Sequence, residues 1–120
     1  MRDENYCTIG GRITHPPAIY TTQHQGYLLS FSIAHHTNYP TRNSVVYYEV
    51  KVSDGHDRTK LEEFAAWLLK GRKVVIHNAE LQVKRWTPSD SDEEKTSHHL
   101  FCRIDQIHLH DVQKAATAAA

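Results

Sequence analysis

Lys84, Arg85 and Trp86 stand in a row at the end of an apolar, alternating run. An aromatic ring beside two cations suits one kind of chemistry: the ring stacks on a planar base while the cations neutralise neighbouring phosphates. Such stacking contributes about 1–3 kcal/mol per base and tolerates any sequence, because every base has a π-face. A Trp at a strand end also fits plain packing against the end of a sheet. Tyr47 and Lys51 share strand parity with Val45 and Glu49, opposite Val46, Tyr48, Val50 and Val52. They therefore project from the face that turns away from a core, which suits a binding face and equally an ordinary solvated one. Tyr39 and Arg42 lie with two histidines in the polar stretch His35–Ser44, either as a clamp of aromatic and cation or as a simple hairpin tip.

Other chemistries find less support. His98, His99, Cys102, His108 and His110 crowd the last apolar segment, and His and Cys are good zinc ligands. Strand parity puts His98 and Cys102 on one face with His108 and His110, and His99 on the other. No CxxC or HExxH spacing fixes a tetrahedral site, so no metal is expected. These histidines read instead as strand-surface residues touching phosphates. There is no GxSxG, no GxxxxGK[ST] and no spaced carboxylate pair on a rigid element, so neither an enzyme nor a cofactor is expected.

The chain has 120 residues, of which 39% are hydrophobic and 23% charged, enough for one globular domain. No apolar run approaches a membrane span. The start, MRDENYCTIGG, has acids where an export signal needs an apolar core, so a cytoplasmic protein with Cys7 and Cys102 reduced is expected. Fourteen bases balance 14 acids, which taken whole argues mildly against a nucleic-acid partner. The distribution argues the other way. Asp90, Asp92, Glu93 and Glu94 cluster in one acidic loop, and setting them aside leaves 10 acids against the same 14 bases. One face is then basic on a neutral molecule. Ten histidines add charge below about pH 6.5.

The elements that must position these residues follow from periodicity. Tyr6–Thr14 reads as a strand with Cys7, Ile9 and Ile13 on one parity and a bulge or bend at Gly10-Gly11. His15-Pro16-Pro17 ends it. Gln23–Gly26 is a turn, and Tyr27–Ala34 a strand with Leu29, Phe31 and Ile33 inward. His35–Ser44 is a loop or hairpin tip, Val45–Ser53 a strand, and Ser53–Arg58 a turn. Leu61–Lys70 reads as the one helix, with Leu61, Phe64, Ala65 and Leu68 on a single stripe and Trp67 on its flank. Thr59–Glu62 matches a capping box, Lys70 suits the last turn, and Gly71 suits the stop. Lys73–Trp86 is a long strand, bent near Asn78-Ala79. Thr87–Ser97 is a turn and His98–His110 the last strand. Residues 1–4 are read as a flexible start, 5–112 as the domain and 113–120 as a disordered tail.

Three strands, one helix, then two strands is the order of an OB-fold, an all-β five-stranded Greek-key barrel that often binds oligonucleotides. The helix would close its floor. At this point the chain resembles the DNA-binding domain of the bacterial single-stranded-DNA-binding protein (SSB) family, from about Asn5 to His110. The residues carrying the resemblance are Asn5, Gly10-Gly11-Arg12-Ile13, Pro16-Pro17, Phe31-Ser32-Ile33-Ala34, Tyr47-Tyr48-Glu49-Val50, Leu68-Leu69-Lys70-Gly71 and Lys84-Arg85-Trp86-Thr87. The signal lies in their order and spacing.

The resemblance implies a non-enzymatic protein that binds single-stranded DNA without base specificity and protects it in replication, repair or recombination, in the cytoplasm at the nucleoid. It implies stacking on Tyr39, Tyr47 and Trp86, and phosphate contacts from Arg12, Lys51, Lys73, Lys84 and Arg85. It also implies a homo-oligomer, a tetramer before a dimer, with replication or repair proteins as further partners. The sequence departs from the family at Val52-Ser53, where a further aromatic is common, and at His77-Asn78-Ala79-Glu80, where a glycine is usual. Two of the three stacking positions are Tyr rather than Trp, so weaker or shorter binding is expected. The family's Gly/Pro-rich tail with an acidic tip has no counterpart up to Ala120, so a tail-less or truncated member is expected. The alternative is a relative of the primosomal replication-restart protein, a dimer acting mainly through protein contacts on DNA.

Overall fold

The structure, a computed structural model, describes residues 3–23, 26–37, 44–53, 57–90 and 92–110. Its strands are β1 (Cys7–Ile13), β2 (Ala18–Thr21), β3 (Tyr27–Thr37), β4 (Ser44–Ser53), β5 (Lys73–Trp86), β6 (Lys95–Cys102) and β7 (Ile107–Leu109), with one helix, α1 (Arg58–Ala65), between β4 and β5. Five strands close a ring in the order β1-β3-β4-β6-β5 and back to β1. All its pairs are antiparallel except β4–β6. This is the expected all-β OB-fold order, with two short strands added. β2 lengthens the edge of β3 that β1 uses, and β7 lengthens the edge of β5 that β6 uses.

Alternation explains the core. Leu29, Phe31 and Ile33 of β3, Val50 and Val52 of β4, Val74 and Ile76 of β5 and Leu100 of β6 all turn inward and are buried. Their neighbours turn outward, since successive strand residues face opposite sides. Leu61 and Leu68 close one end of the ring, each fully buried, a contribution of about 1.5–3 kcal/mol per side chain. Among the described residues no helix is long and apolar enough to cross a membrane.

Several expectations need correction. The helix begins and ends earlier than Leu61–Lys70. Asp57 caps it, its Oδ1 accepting from the Lys60 amide at 3.0 Å, so Thr59 lies inside the first turn rather than at the cap. After Ala65 the chain tightens, the Trp67 and Leu68 amides donating to the Phe64 and Ala65 carbonyls. That turn still delivers Leu68 to the core. Lys70 and Gly71 lie beyond the helix, and Gly71, at φ 86°, makes the turn into β5.

Gly10-Gly11 forms no bulge: the pairing of β1 with β5 runs evenly from Ile9 to Arg12. Gly11 is required by a close approach instead, because a Cβ there would stand 2.7 Å from the Ala34 carbonyl oxygen. The irregularity sits on β5, where His77 and Asn78 oppose the single Thr8 of β1. Asn78 takes the left-handed conformation at φ 53°, and its amide donates to Thr8 Oγ1 at 3.2 Å. Asn tolerates that region better than other residues with a side chain, which suits it to this position.

β2 was not expected, His35–Thr37 belong to β3 rather than to a loop, and β6 starts at Lys95 within the expected turn. His98–His110 is not one strand. It breaks at Arg103 into β6, a 3-10 turn (Ile104–Gln106) and β7. Gln106 holds the break: its Oε1 accepts from the Arg103 amide, and its Nε2 donates to the His77 and Asn78 carbonyls at 3.1 and 2.8 Å. The parity that joined His108 and His110 to His98 and Cys102 therefore ends at Cys102. The expected hairpin tip at 38–43, part of the turn at 54–56, and the tail at 113–120 fall outside the described residues.

Candidate nucleic-acid interface

Paired residues on adjacent strands project to the same side of a sheet, so the register places each side chain. Lys73 pairs with Arg12, Arg12 with Ala34, and Ala34 with Tyr47. These four residues form one row across β5, β1, β3 and β4 on the outer face. Tyr47 is 64% exposed. The row continues toward β6, where Tyr47 and Ser97 line one shallow groove and Ser97 pairs with Lys84. Two residues further along β5, on the same face, stands Trp86, 48% exposed. Strand spacing puts Trp86 about 12 Å from Tyr47. Ala34 has only a methyl group, which leaves the space beside Tyr47 open on that side.

The cations differ in freedom. Arg12 donates from Nη1 to the Gly71 carbonyl at 2.9 Å, which steadies the guanidinium beside Lys73. Lys84 is exposed on the Trp86 face. Lys51 is on the same face but is engaged, its Nζ donating to Ser30 Oγ at 3.0 Å and lying 3.4 Å from Glu49 Oε2. Arg85 turns to the other side of β5, 3.9 Å from Glu94 in an exposed pair worth little. Tyr39 and Arg42 lie outside the described residues.

Sequence reasoning missed Lys95 on this face, and it read His99 as a strand-surface residue touching phosphates where the structure buries it. Lys95 pairs directly with Trp86, so the indole is flanked by Lys95 across the hairpin and Lys84 along its own strand. It was hidden because β6 starts inside an acidic, polar stretch. His99 is the buried polar residue of the outer face, 7% exposed. Its Nε2 is 2.8 Å from Ser97 Oγ, while Nδ1 lies 3.4 Å from Glu49 Oε2 without a hydrogen bond. Burial lowers its pKa from the ordinary value, Glu49 opposing and Lys84 and Lys51 assisting. Glu49 thus sits between Lys51 and His99 on the outer face, a carboxylate beside the cationic row.

No group of three or more His, Cys, Asp or Glu among the described residues is placed to hold a metal ion. His108 and His110 meet edge to face, their ring centroids 4.8 Å apart. Cys102 is buried, and burial pushes its thiol up to about 12, which keeps it protonated.

The model of the single-strand binding protein family matches residues 4–109. A search of curated protein sequences found no match. Among solved structures, an SSB of Plasmodium falciparum in complex with ssDNA superposes with a TM-score of 0.63 at 19% identity, covering 95% of this chain and 98% of that one. The Saccharomyces cerevisiae mitochondrial single-stranded DNA binding protein Rim1 gives 0.65 at 19% identity, covering 93% and 100%. A small single-stranded DNA-binding protein of Streptomyces coelicolor gives 0.62 at 14% identity, covering 99% and 100%. At these identities the likeness is one of fold, and the family assignment rests on the match along nearly the whole chain together with the ring of strands described above. The chain belongs to the single-strand binding protein family.

Proposed function

We propose that the outer face of β1, β3, β4, β5 and β6 binds single-stranded DNA without base specificity. Bases stack on Tyr47 and Trp86, and on Tyr39 from the hairpin between β3 and β4. Arg12, Lys73 and Lys84 neutralise phosphates, with Lys51 and Arg42 as further contacts, while Arg85, on the other side of β5, lies off this path. The observation that carries the reading is the single row Lys73-Arg12-Ala34-Tyr47, continuing through the Ser97 groove to Lys84 and Trp86. Exposed aromatics alternating with cations along one path is the arrangement that stacking and phosphate neutralisation require. The ssDNA in the Plasmodium complex supports the same kind of ligand here.

A protein of this kind coats strands exposed during replication, repair or recombination, at the nucleoid. It acts as a homo-oligomer, a tetramer in this reading, which a solution mass would test. For the interface, a dT oligomer is titrated while Trp fluorescence is followed. Trp86→Ala should lose most of the quenching and weaken binding by about 1–3 kcal/mol. Trp67→Phe, a change in a half-buried residue beyond α1, should leave affinity unchanged. Equal effects from the two variants would overturn the assignment.

A further inference from the structure

The outer face does not end at Lys51. β2 pairs with β3 through Ala18↔Ser30 and Tyr20↔Leu28, and Ser30 pairs with Lys51. Ala18, Ser30 and Lys51 therefore share a row, and Tyr20 stands one outward step further along β2. Tyr20 is 56% exposed, on the side of β2 opposite Ile19, which packs against the core. It lines a shallow groove with His15, Pro16, Ala18, Ser30 and Lys51. That groove shares His15, Ser32 and Glu49 with the groove in which Tyr47 and Ser97 lie, so the two are continuous. Lys51 supplies a cation to this stretch, and His15 lines both grooves.

We propose that Tyr20 is a further base-stacking residue, and that a bound strand continues from Tyr47 past Lys51 onto β2. The inference rests on the proposed function and adds the direction of the path and its second aromatic end. Strand geometry sets Tyr20 about 20 Å from Tyr47, six residues along and two strands across. A strand long enough to reach both is held at both, whereas a short one settles on the Tyr47–Trp86 end. The ring is what matters: its π-face meets a base whatever the sequence.

The test uses dT oligomers of about 5 and about 16 nucleotides, near the limits of what one OB-fold covers. The proteins are wild type, Tyr20→Ala, Tyr20→Phe and Tyr47→Ala. Tyr20→Ala should weaken the long oligomer about tenfold and leave the short one unchanged. Tyr20→Phe should bind both as wild type does, and Tyr47→Ala should weaken both. Unchanged affinity of Tyr20→Ala for the long oligomer, with Tyr47→Ala still impaired, overturns this inference and spares the proposed function. So does a fall in solution mass with Tyr20→Ala, which would assign the residue to contacts between copies of the chain. A wild-type protein that binds neither oligomer overturns the proposed function and this inference together.

Discussion

At His99 two effects of opposite sign meet. Burial disfavours the imidazolium, and the Glu49 carboxylate 3.4 Å away favours it. Burial is the larger, with Lys84 from β5, Lys51 from β4 and His98 from its own strand adding to it, so the pKa falls below the ordinary 6.5. The sign of the stability effect follows. Below about 6.5 the unfolded chain takes up a proton at this residue more readily than the folded one does. Folding stability is therefore complete above that value and declines as the pH drops through the interval beneath it. His99→Gln keeps a hydrogen-bonding group near Ser97 and removes the titration. Urea unfolding between about pH 7.5 and about pH 5.5 should bring the two proteins' stabilities closer together as the pH falls. Parallel curves would contradict the assignment. The sequence placed His99 on the face opposite His98, but its burial and its carboxylate neighbour depend on β4 lying parallel beside β6, a pairing no local pattern encodes.

Elements were legible where one face is buried and the strand is long. Lys73–Trp86 and the inward sets of β3 and β4 stand out because alternation persists over many residues. β2 was illegible because Ala18–Thr21 offers only one inward apolar residue, Ile19, after two prolines. The break at Arg103 was illegible because a side chain from Gln106 makes it by bonding carbonyls nearly thirty residues away. The same logic separates Asp57 from Thr59, both acceptable caps by type. Asp57→Ala should cost about 1 kcal/mol in a urea unfolding experiment, and Thr59→Ala only a few tenths. Gly11→Ala should cost more, about 1–3 kcal/mol, because its Cβ would force β1 from the Ala34 carbonyl. A larger loss at Thr59 than at Asp57 would move the helix start back to where the sequence alone had put it. Of the site, the outward parity of Tyr47 and Lys51 was readable within a single strand, whereas Lys84, Arg85 and Trp86 were read together and the pairing with β6 sets Arg85 apart. That Arg12 adjoins Lys73, and Trp86 adjoins Lys95, required the register between strands.

On the scale of the whole molecule, neutrality conceals a division. The described acids Asp90, Asp92, Glu93 and Glu94 lie in the turn joining β5 to β6, while Arg12, Lys73, Lys84 and Lys95 line the outer face. Net charge therefore says little about affinity for a polyanion, and the local row says much. The direct measurement is the affinity for a dT oligomer as a function of salt concentration. Neutralised phosphates release counterions, so the logarithm of the binding constant should fall linearly with the logarithm of salt, by about 0.7 per phosphate on a single strand. If Arg12, Lys73 and Lys84 each hold one phosphate, the slope is about −2, and Arg12→Ala reduces it by about one phosphate's share. A slope near zero, or no binding at low salt, would contradict the account.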